Sequence, residues 1–220
     1  MGLFYKNKGK NNKIIFVENG KEIILKSWQK IKGIKISFAG DNNTIKINKG
    51  DFNHLIINVN SNNSNIVVKE NASIRNSLIS VFGEDGQYFE WGSGSTAMNL
   101  KVELTEAFAS ALVGEDCMFA ANVQLRPTDG HAIFDKQTGK VTNKITDPIT
   151  IGNHCWIGEG VRFTKNSKIA NNTIVGMGSI VTKKFNQEDI IIAGTPAKII
   201  KENVRWDRAS AYTLEQIEGI

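Results

Sequence analysis

The sequence predicts an all-β chain wound as a triangular parallel β-helix, with one protruding loop and a short C-terminal helix. Three observations predict it. Apolar residues recur at every sixth position from Ile151 to Val181, the same columns reappear upstream of a single insertion, and the asparagine-rich first half alternates short β-type runs with turn clusters. A period of six matches neither the alternation of an ordinary strand nor the 3.6 of a helix.

In chain order, residues 1–112 read as degenerate coils of the solenoid. The runs Ile34-Lys35-Ile36-Ser37-Phe38, Thr44-Ile45-Lys46-Ile47, Leu55-Ile56-Ile57 and Asn65-Ile66-Val67-Val68 are strand-like, separated by turns such as Asp41-Asn42-Asn43 and Asn60-Ser61-Asn62-Asn63. Asparagine tolerates the left-handed backbone region and stacks into side-chain ladders, so it suits the corners of a coil. Residues 113–200 read as the regular part. Val113, Phe119 and Leu125 fall six apart, with Gly114 and Ala120 beside the first two. The next repeat is due at residue 131 but arrives at Ile151, so residues 131–150 form an inserted loop of 20 residues. With the loop excised and coils of 18 stacked, Val113 aligns with Ile151 and Ile169, Phe119 with Ile157 and Val175, and Leu125 with Phe163 and Val181.

Beyond the insertion, Ile151, Ile157, Phe163, Ile169, Val175 and Val181 are each followed by a short residue, and four places on by Cys155, Val161, Ser167, Thr173, Ser179 and Phe185. Three short strands then make one coil. Residues 34–200 without the loop amount to about eight coils and a prism about 40 Å long. Residues 201–220 lose the period as a tail, in which residues 209–217 suit a short helix, and the whole reads as one continuous domain.

The lattice assigns side-chain direction. Met118, Trp156 and Ile174 fall in one outward column, which needs a partner. Cys117 and Cys155 face inward on neighbouring coils, about 4.8 Å apart, as reduced and packed thiols. Composition narrows the function classes. The net charge of +5 over 220 residues comes mostly from lysines scattered among asparagines, without the clustered arginine and aromatic pattern of a nucleic-acid groove. Two cysteines and three histidines argue against a disulfide framework and a zinc centre, and no metal is expected. No run approaches the roughly 18 apolar residues that span a bilayer, and Met1-Gly2-Leu3-Phe4-Tyr5-Lys6 carries no signal-peptide pattern. A soluble, cytoplasmic protein is the expectation.

Four stretches resemble the hexapeptide-repeat acetyltransferases, over Val113 to Arg208. They are Thr128-Asp129-Gly130-His131, the run from Asp147 to Gly158, the run from Gly176 to Lys183, and Ala193-Gly194-Thr195-Pro196-Ala197-Lys198. The tail Asn203-Val204-Arg205-Trp206-Asp207-Arg208 and the asparagine-rich coils are similar to the branch that O-acetylates bacterial surface polysaccharides, of capsule or O-antigen type. The resemblance implies a left-handed β-helix, acetyl-CoA as acetyl donor, a glycan acceptor, and a homotrimer with active sites between subunits. It also implies that His131 is the catalytic histidine and that the third and fourth stretches bind the coenzyme.

The chemistry agrees with that assignment. A sugar hydroxyl is too weakly acidic to attack a thioester unaided, so it needs a positioned base, and His131 stands where the coil gives way to the loop. Asp129 is near enough in sequence to orient the imidazole. Trp156 points outward, so it either packs under a neighbouring subunit or lines the donor groove; the resemblance implies the groove near His131, where Trp156 counts among both the catalytic and the cofactor-binding residues. Cys155 faces inward and is a poor nucleophile, which favours direct attack without an acyl-enzyme and a backbone N–H near Gly158 for the oxyanion. Gly158 and Gly176 stack one coil apart, which leaves room for a pantetheine arm. Lys183 and Lys198 suit phosphates, Thr182 and Thr195 are hydroxyl donors, and Pro196 ends the coil. His154 and His54 read as structural or solvated. Two other readings stay open: acetyl transfer to an amino sugar or small xenobiotic, and a noncatalytic scaffold or glycan-binding module.

Overall fold

Strand pairing turns the six-residue rhythm into three parallel sheets. A computed structural model describes residues 5–26, 29 and 31–218. Residues 1–4, 219 and 220, at the two ends of the expected organisation, lie outside the described residues. The first sheet runs from Tyr5–Asn7 through Ile34–Phe38, Leu55–Asn60, Leu78–Phe82, Lys101–Leu104, Gln124–Leu125 and Arg162–Phe163 to Ile180–Val181. The second runs in parallel from Lys13–Glu18 to Lys184–Phe185, and the third from Asp51–Asn53 to Ile190–Gly194. From Ile34 onward the first sheet holds seven strands, so the solenoid makes about seven turns where eight were expected, and strand pairing extends back to Tyr5.

The columns read from the sequence are those of the ladder. Val113 pairs with Ile151 and Ile151 with Ile169; Phe119 pairs with Ile157 and Ile157 with Val175; Leu125 pairs with Phe163 and Phe163 with Val181. All nine are buried. Gln124 pairs with Arg162, 38 residues on, whereas Arg162 pairs with Ile180, 18 on, so one turn carries 20 extra residues. The loop ends sooner than expected, however. Ile149 and Thr150 already belong to the strand Ile149–Ile151, because Ile149 pairs with Ala111 and is itself buried.

Upstream turns are wider. Ile34 pairs with Leu55, Ile56 with Leu78 and Leu78 with Lys101, so successive turns hold 21, 22 and 23 residues. Their corners depend on asparagine. Among the described residues, eleven of the sixteen non-glycine residues with positive φ are Asn, among them Asn42, Asn63, Asn99 and Asn122. A buried ladder ties the inside of one corner together. Asn43 donates to Asn12 Oδ1 and to the Ser61 carbonyl, Ser64 N donates to Asn43 Oδ1, and Ser64 Oγ donates to Gln87 Oε1. In the regular coils the buried hydroxyls of Ser167, Thr173 and Ser179 each donate to a carbonyl of their own corner, at 2.6 to 2.8 Å.

Antiparallel strands close two edges. Lys21–Ile24 pairs back on Lys13–Glu18, and Ala197–Glu202 pairs back on Ile190–Gly194. The second of these straddles the expected boundary at residue 200 between regular coils and tail, and reverses the chain where a further parallel coil was expected; Pro196 sits in its turn, where the parallel winding ends. The helix is present at Ala211–Glu218, two residues later at its start than expected. Among the described residues no helix is long and apolar enough to cross a membrane.

The core is one continuous apolar column down the prism axis. Phe163 is buried within it, paired on both sides by Leu125 and Val181. Phe163→Ala is expected to lower stability by about 3–5 kcal/mol, read from denaturant unfolding monitored by circular dichroism. Wild-type stability in that variant would show that these columns do not carry the core.

Candidate active site

The loop leaves the prism at the corner between the first and second sheets, after Leu125, and re-enters it at Ile149. Its root is held from both neighbouring coils. Below it, the Glu106 carboxylate accepts hydrogen bonds from Thr128 Oγ1 and from Gly130 N, the latter at 3.0 Å. Above it, Lys165 Nζ pairs with Asp129 Oδ2. Asn166 Oδ1 accepts from the backbone N–H of Thr146 and of Asp147, which fixes the returning strand. Within the loop, Asn143 Nδ2 donates to Asp129 Oδ2 at 2.9 Å and to the His131 carbonyl at 2.8 Å, while its Oδ1 accepts from Ile133 N.

His131 is therefore fixed by its backbone. Its side chain is exposed, and among the described residues the imidazole makes no hydrogen bond. Asp129, expected to orient that ring, turns to Lys165 and Asn143 instead. The hydrogen bonds from Lys165 and Asn143 outweigh the effect of burial and hold the Asp129 carboxyl below the usual carboxylate value. The physical reason is reach. A lysine one coil away supplies a full charge to a carboxylate already pointing along the corner.

Thr182 and Lys183 occupy the same corner two coils above the loop root, both exposed, with Lys183 Nζ 5.2 Å from the centre of the Phe185 ring. The other expected donor residues lie elsewhere. Gly158 and Gly176 turn the corner between the third and first sheets, Thr195 stands beyond them in the closing hairpin, and Lys198 pairs opposite Ala193. The two glycines have a use other than the open flank expected of them. A Cβ on Gly158 would stand 2.7 Å from Met177 N, and one on Gly176 2.9 Å from Ala193 Cβ, so coil stacking alone demands the absence of a side chain there.

Trp156 points outward from the third sheet, paired in register with Met118 and Ile174, and is 39% exposed. Within one chain it does not meet His131, because the two stand on different faces of the prism. Its neighbour is the tail. Trp206 stacks on His154 at 4.4 Å between ring centres, lies 6.0 Å from Trp156, and donates Nε1 to the His154 carbonyl at 2.8 Å. The His154 ring nitrogens lie 2.7 Å from Asp116 Oδ2 and 3.3 Å from the Trp206 carbonyl. Arg208 donates to Asp116 Oδ1 and to the Cys117 carbonyl, and Val204 N donates to the Asp189 carbonyl. Burial pushes the Asp116 carboxyl up, but hydrogen bonds from His154 and Arg208 hold it below its ordinary value. The tail is thus strapped along the corner between the second and third sheets, and His154 is structural, as expected. His54 likewise sits at a corner, with φ of 55°.

Cys117 and Cys155 are free, buried and stacked, with Cys155 N donating to Cys117 Sγ at 3.5 Å. Hydrogen bonding to Cys117 and burial push the Cys155 thiol up, which suits a packed residue and not a nucleophile. Among the described residues no cluster of three or more His, Cys, Asp or Glu side chains could hold a metal ion. The sequence reading missed Glu106, Asn143 and Lys165. They carry no local motif, and Glu106 and Lys165 reach the root only because coil stacking brings positions more than twenty residues away beside it.

Two outcomes test this geometry. Trp206→Ala is expected to release the tail, read as faster tryptic cleavage at Lys201, Arg205 and Arg208 with the far-ultraviolet spectrum of the solenoid unchanged; unaltered cleavage would mean the strap is held by other contacts. Asp129 ionises at lower pH folded than unfolded, so its pair with Lys165 stabilises fully above about pH 4, the unfolded value, and is lost as pH falls through the folded one. Lys165→Met is expected to melt about 2 °C below the wild type at pH 7, with the gap closing at lower pH. A gap that persists undiminished in acid would refute the pairing.

The family model described as bacterial transferase hexapeptide (six repeats) matches residues 148–183. The polysialic acid O-acetyltransferase of Neisseria meningitidis is 32% identical over 193 residues, 78% of this chain and 89% of that protein. The polysialic acid O-acetyltransferase of Escherichia coli O1:K1 / APEC is 31% identical over 150 residues, 67% of this chain but 46% of that protein, so the chain spans under half of that relative's length. Among solved structures, the polySia-specific acetyltransferase NeuO superposes with a TM-score of 0.76 at 27% identity, covering 95% of this chain and 90% of that one. The polysialic acid O-acetyltransferase OatWY gives the same TM-score at 25% identity, covering 98% of each chain. The winding is accordingly left-handed, against the usual hand of parallel crossovers, and the chain belongs to the hexapeptide-repeat acetyltransferase family.

Proposed function

We propose that this chain is an acetyl-CoA-dependent O-acetyltransferase that acetylates a hydroxyl of a bacterial surface polysaccharide, with His131 as general base. The observation that carries the reading is the loop root, where an exposed imidazole with no hydrogen bond among the described residues is fixed through its backbone from coils on either side. A base for a weakly acidic hydroxyl needs this combination of a free ring nitrogen and a fixed position. The relatives' names, both O-acetyltransferases of a polysaccharide, support the acceptor class.

The step balances simply. The acceptor oxygen attacks the thioester carbonyl as its proton passes to a ring nitrogen of His131. The tetrahedral oxyanion is met by backbone N–H near Gly158, and the intermediate collapses to the acetyl ester as the thiolate leaves and takes a proton to give the free thiol. No acyl-enzyme forms, since both thiols are buried. Lys183 and Thr182 at one corner, with Lys198 and Thr195 at the closing hairpin, are exposed groups suited to the donor's phosphates. Trp156 would wall the donor groove. Because His131 and Trp156 stand on different faces of one chain, a complete site calls for the groove of a neighbouring subunit, which a homotrimer supplies. Use of a thioester donor of central metabolism supports a cytoplasmic location for the proposed reaction.

His131→Ala is expected to lower the rate of thiol release from acetyl-CoA in the presence of acceptor polysaccharide by about 10² to 10⁴, with coenzyme A binding by calorimetry unchanged. Full activity in that variant would remove the base assignment, and a monomeric mass in solution would remove the shared site.

A further inference from the structure

Charge is divided unevenly along the prism. The first 50 residues hold eleven lysines against three carboxylates, and residues 51–220 hold sixteen Lys and Arg against nineteen, so a chain of net charge +5 carries +8 at its beginning and −3 over the rest. Tyr5–Asn7 is the outermost strand of the first sheet and Lys21–Ile24 that of the second, which puts the excess at one end of the prism. Glu18 and Glu22 are already paired, with Lys49 and Lys46, and Asp41 accepts the backbone N–H of Lys10. Lys8, Lys10, Lys21, Lys26, Lys32 and Lys35 are exposed, and among the described residues their ammonium groups have no ion-pair partner. Like charges crowded on one end repel one another, so stability does not explain them.

The same end carries an apolar projection. Lys21–Ile24 pairs back on Lys13–Glu18 so that Ile23 stands opposite Phe16 and Ile24 opposite Ile15. Successive side chains of a strand point to opposite faces, yet Ile23 is 45% and Ile24 64% exposed, so both faces of this strand lie beyond the core. Leu25, one place on, packs back against the core. The two isoleucines are left as a wedge flanked by Lys21 and Lys26.

We infer that this end of the prism docks on an anionic phospholipid surface, its lysines meeting the headgroups and Ile23 and Ile24 entering the boundary with the acyl chains. Cations around a short apolar wedge suit a surface that lies on a bilayer, because the charge draws it to anionic lipid and the buried side chains hold it there. The kind of cation discriminates as well. All eleven are lysines, compact point charges without the planar fork that reads phosphates in a nucleic acid, and a soluble polyanion would have no use for the isoleucines. Docked by this end, the prism stands upright, with the loop root at Gln124–Leu125 five strand spacings, about 24 Å, above its outermost strand. Such docking requires neither His131 nor a particular acceptor.

The test uses the full-length protein and vesicles of phosphatidylcholine, alone or with about one third phosphatidylglycerol, read by co-sedimentation. Binding to the anionic vesicles is expected to be about tenfold or more tighter than to the neutral ones, and to weaken as salt rises. Lys21→Gln with Lys26→Gln is expected to weaken it about tenfold, whereas Lys136→Gln with Lys140→Gln, which removes the same charge from the exposed loop, leaves it within about twofold. Ile23→Ser with Ile24→Ser is expected to weaken it about fivefold or more while the melting temperature stays within about 2 °C of the wild type, since neither side chain belongs to the core. No binding, equal binding to neutral and anionic vesicles, an equal loss in the loop variant, or undiminished binding in the isoleucine variant would each overturn the docking while the proposed function stands. The last of these, joined to displacement of the vesicles by soluble polysialic acid, would make the end a polyanion site instead.

Discussion

Coil-on-coil register is the constraint on which the rest of this molecule depends. Each outward or inward direction is inherited from the strand below, so a slip of one residue would exchange the two faces of every strand above it. The buried column Leu125, Phe163, Val181 fixes that register across the insertion, where the chain departs for 20 residues and must return in phase. Its return is secured by Asn166, which accepts two backbone N–H groups of the arriving chain, and by Ile149, which packs against the coil of Ala111. The site can be displayed on a loop because both ends of that loop are tied to a ladder that cannot shift.

The same constraint decides what a reader of the sequence can see. Columns with a strict period of six are visible, because two residues per strand and four per corner leave no slack; every pairing inferred across the insertion is present. Upstream, turns of 21 to 23 residues carry strands of up to six residues, so the phase drifts and only the strand-like runs and asparagine corners remain legible. The closing strand Ala197–Glu202 was hidden for another reason. Antiparallel return is a property of the edge it covers, and its exposed residues after Ala197 show no solenoid column.

At the candidate site, the sequence marks positions but not the partners those positions meet. His131 is marked by its place in the interruption, and Trp156 by the outward column. Asp129 was assigned to the imidazole on proximity in sequence, yet in a stacked coil the nearest groups in space are those one turn away, and Lys165 wins on charge. Gly158 and Gly176 teach a related lesson. A glycine in a motif suggests room for a ligand, whereas here the vacant position is filled by the backbone of Met177 and by Ala193.

Charge at the loop root follows from the order in which its partners are satisfied. Glu106 is consumed by Thr128 and Gly130, Asp129 by Lys165 and Asn143, and Glu103 by Lys101 and Gln124. Each of these three carboxylates therefore has a structural use at the corner. Among the described residues, the groups without a hydrogen-bond or ion-pair partner at the root are the Arg126 guanidinium and the His131 ring. The carboxylates of this corner are thus spent on anchoring the loop that carries the exposed ring.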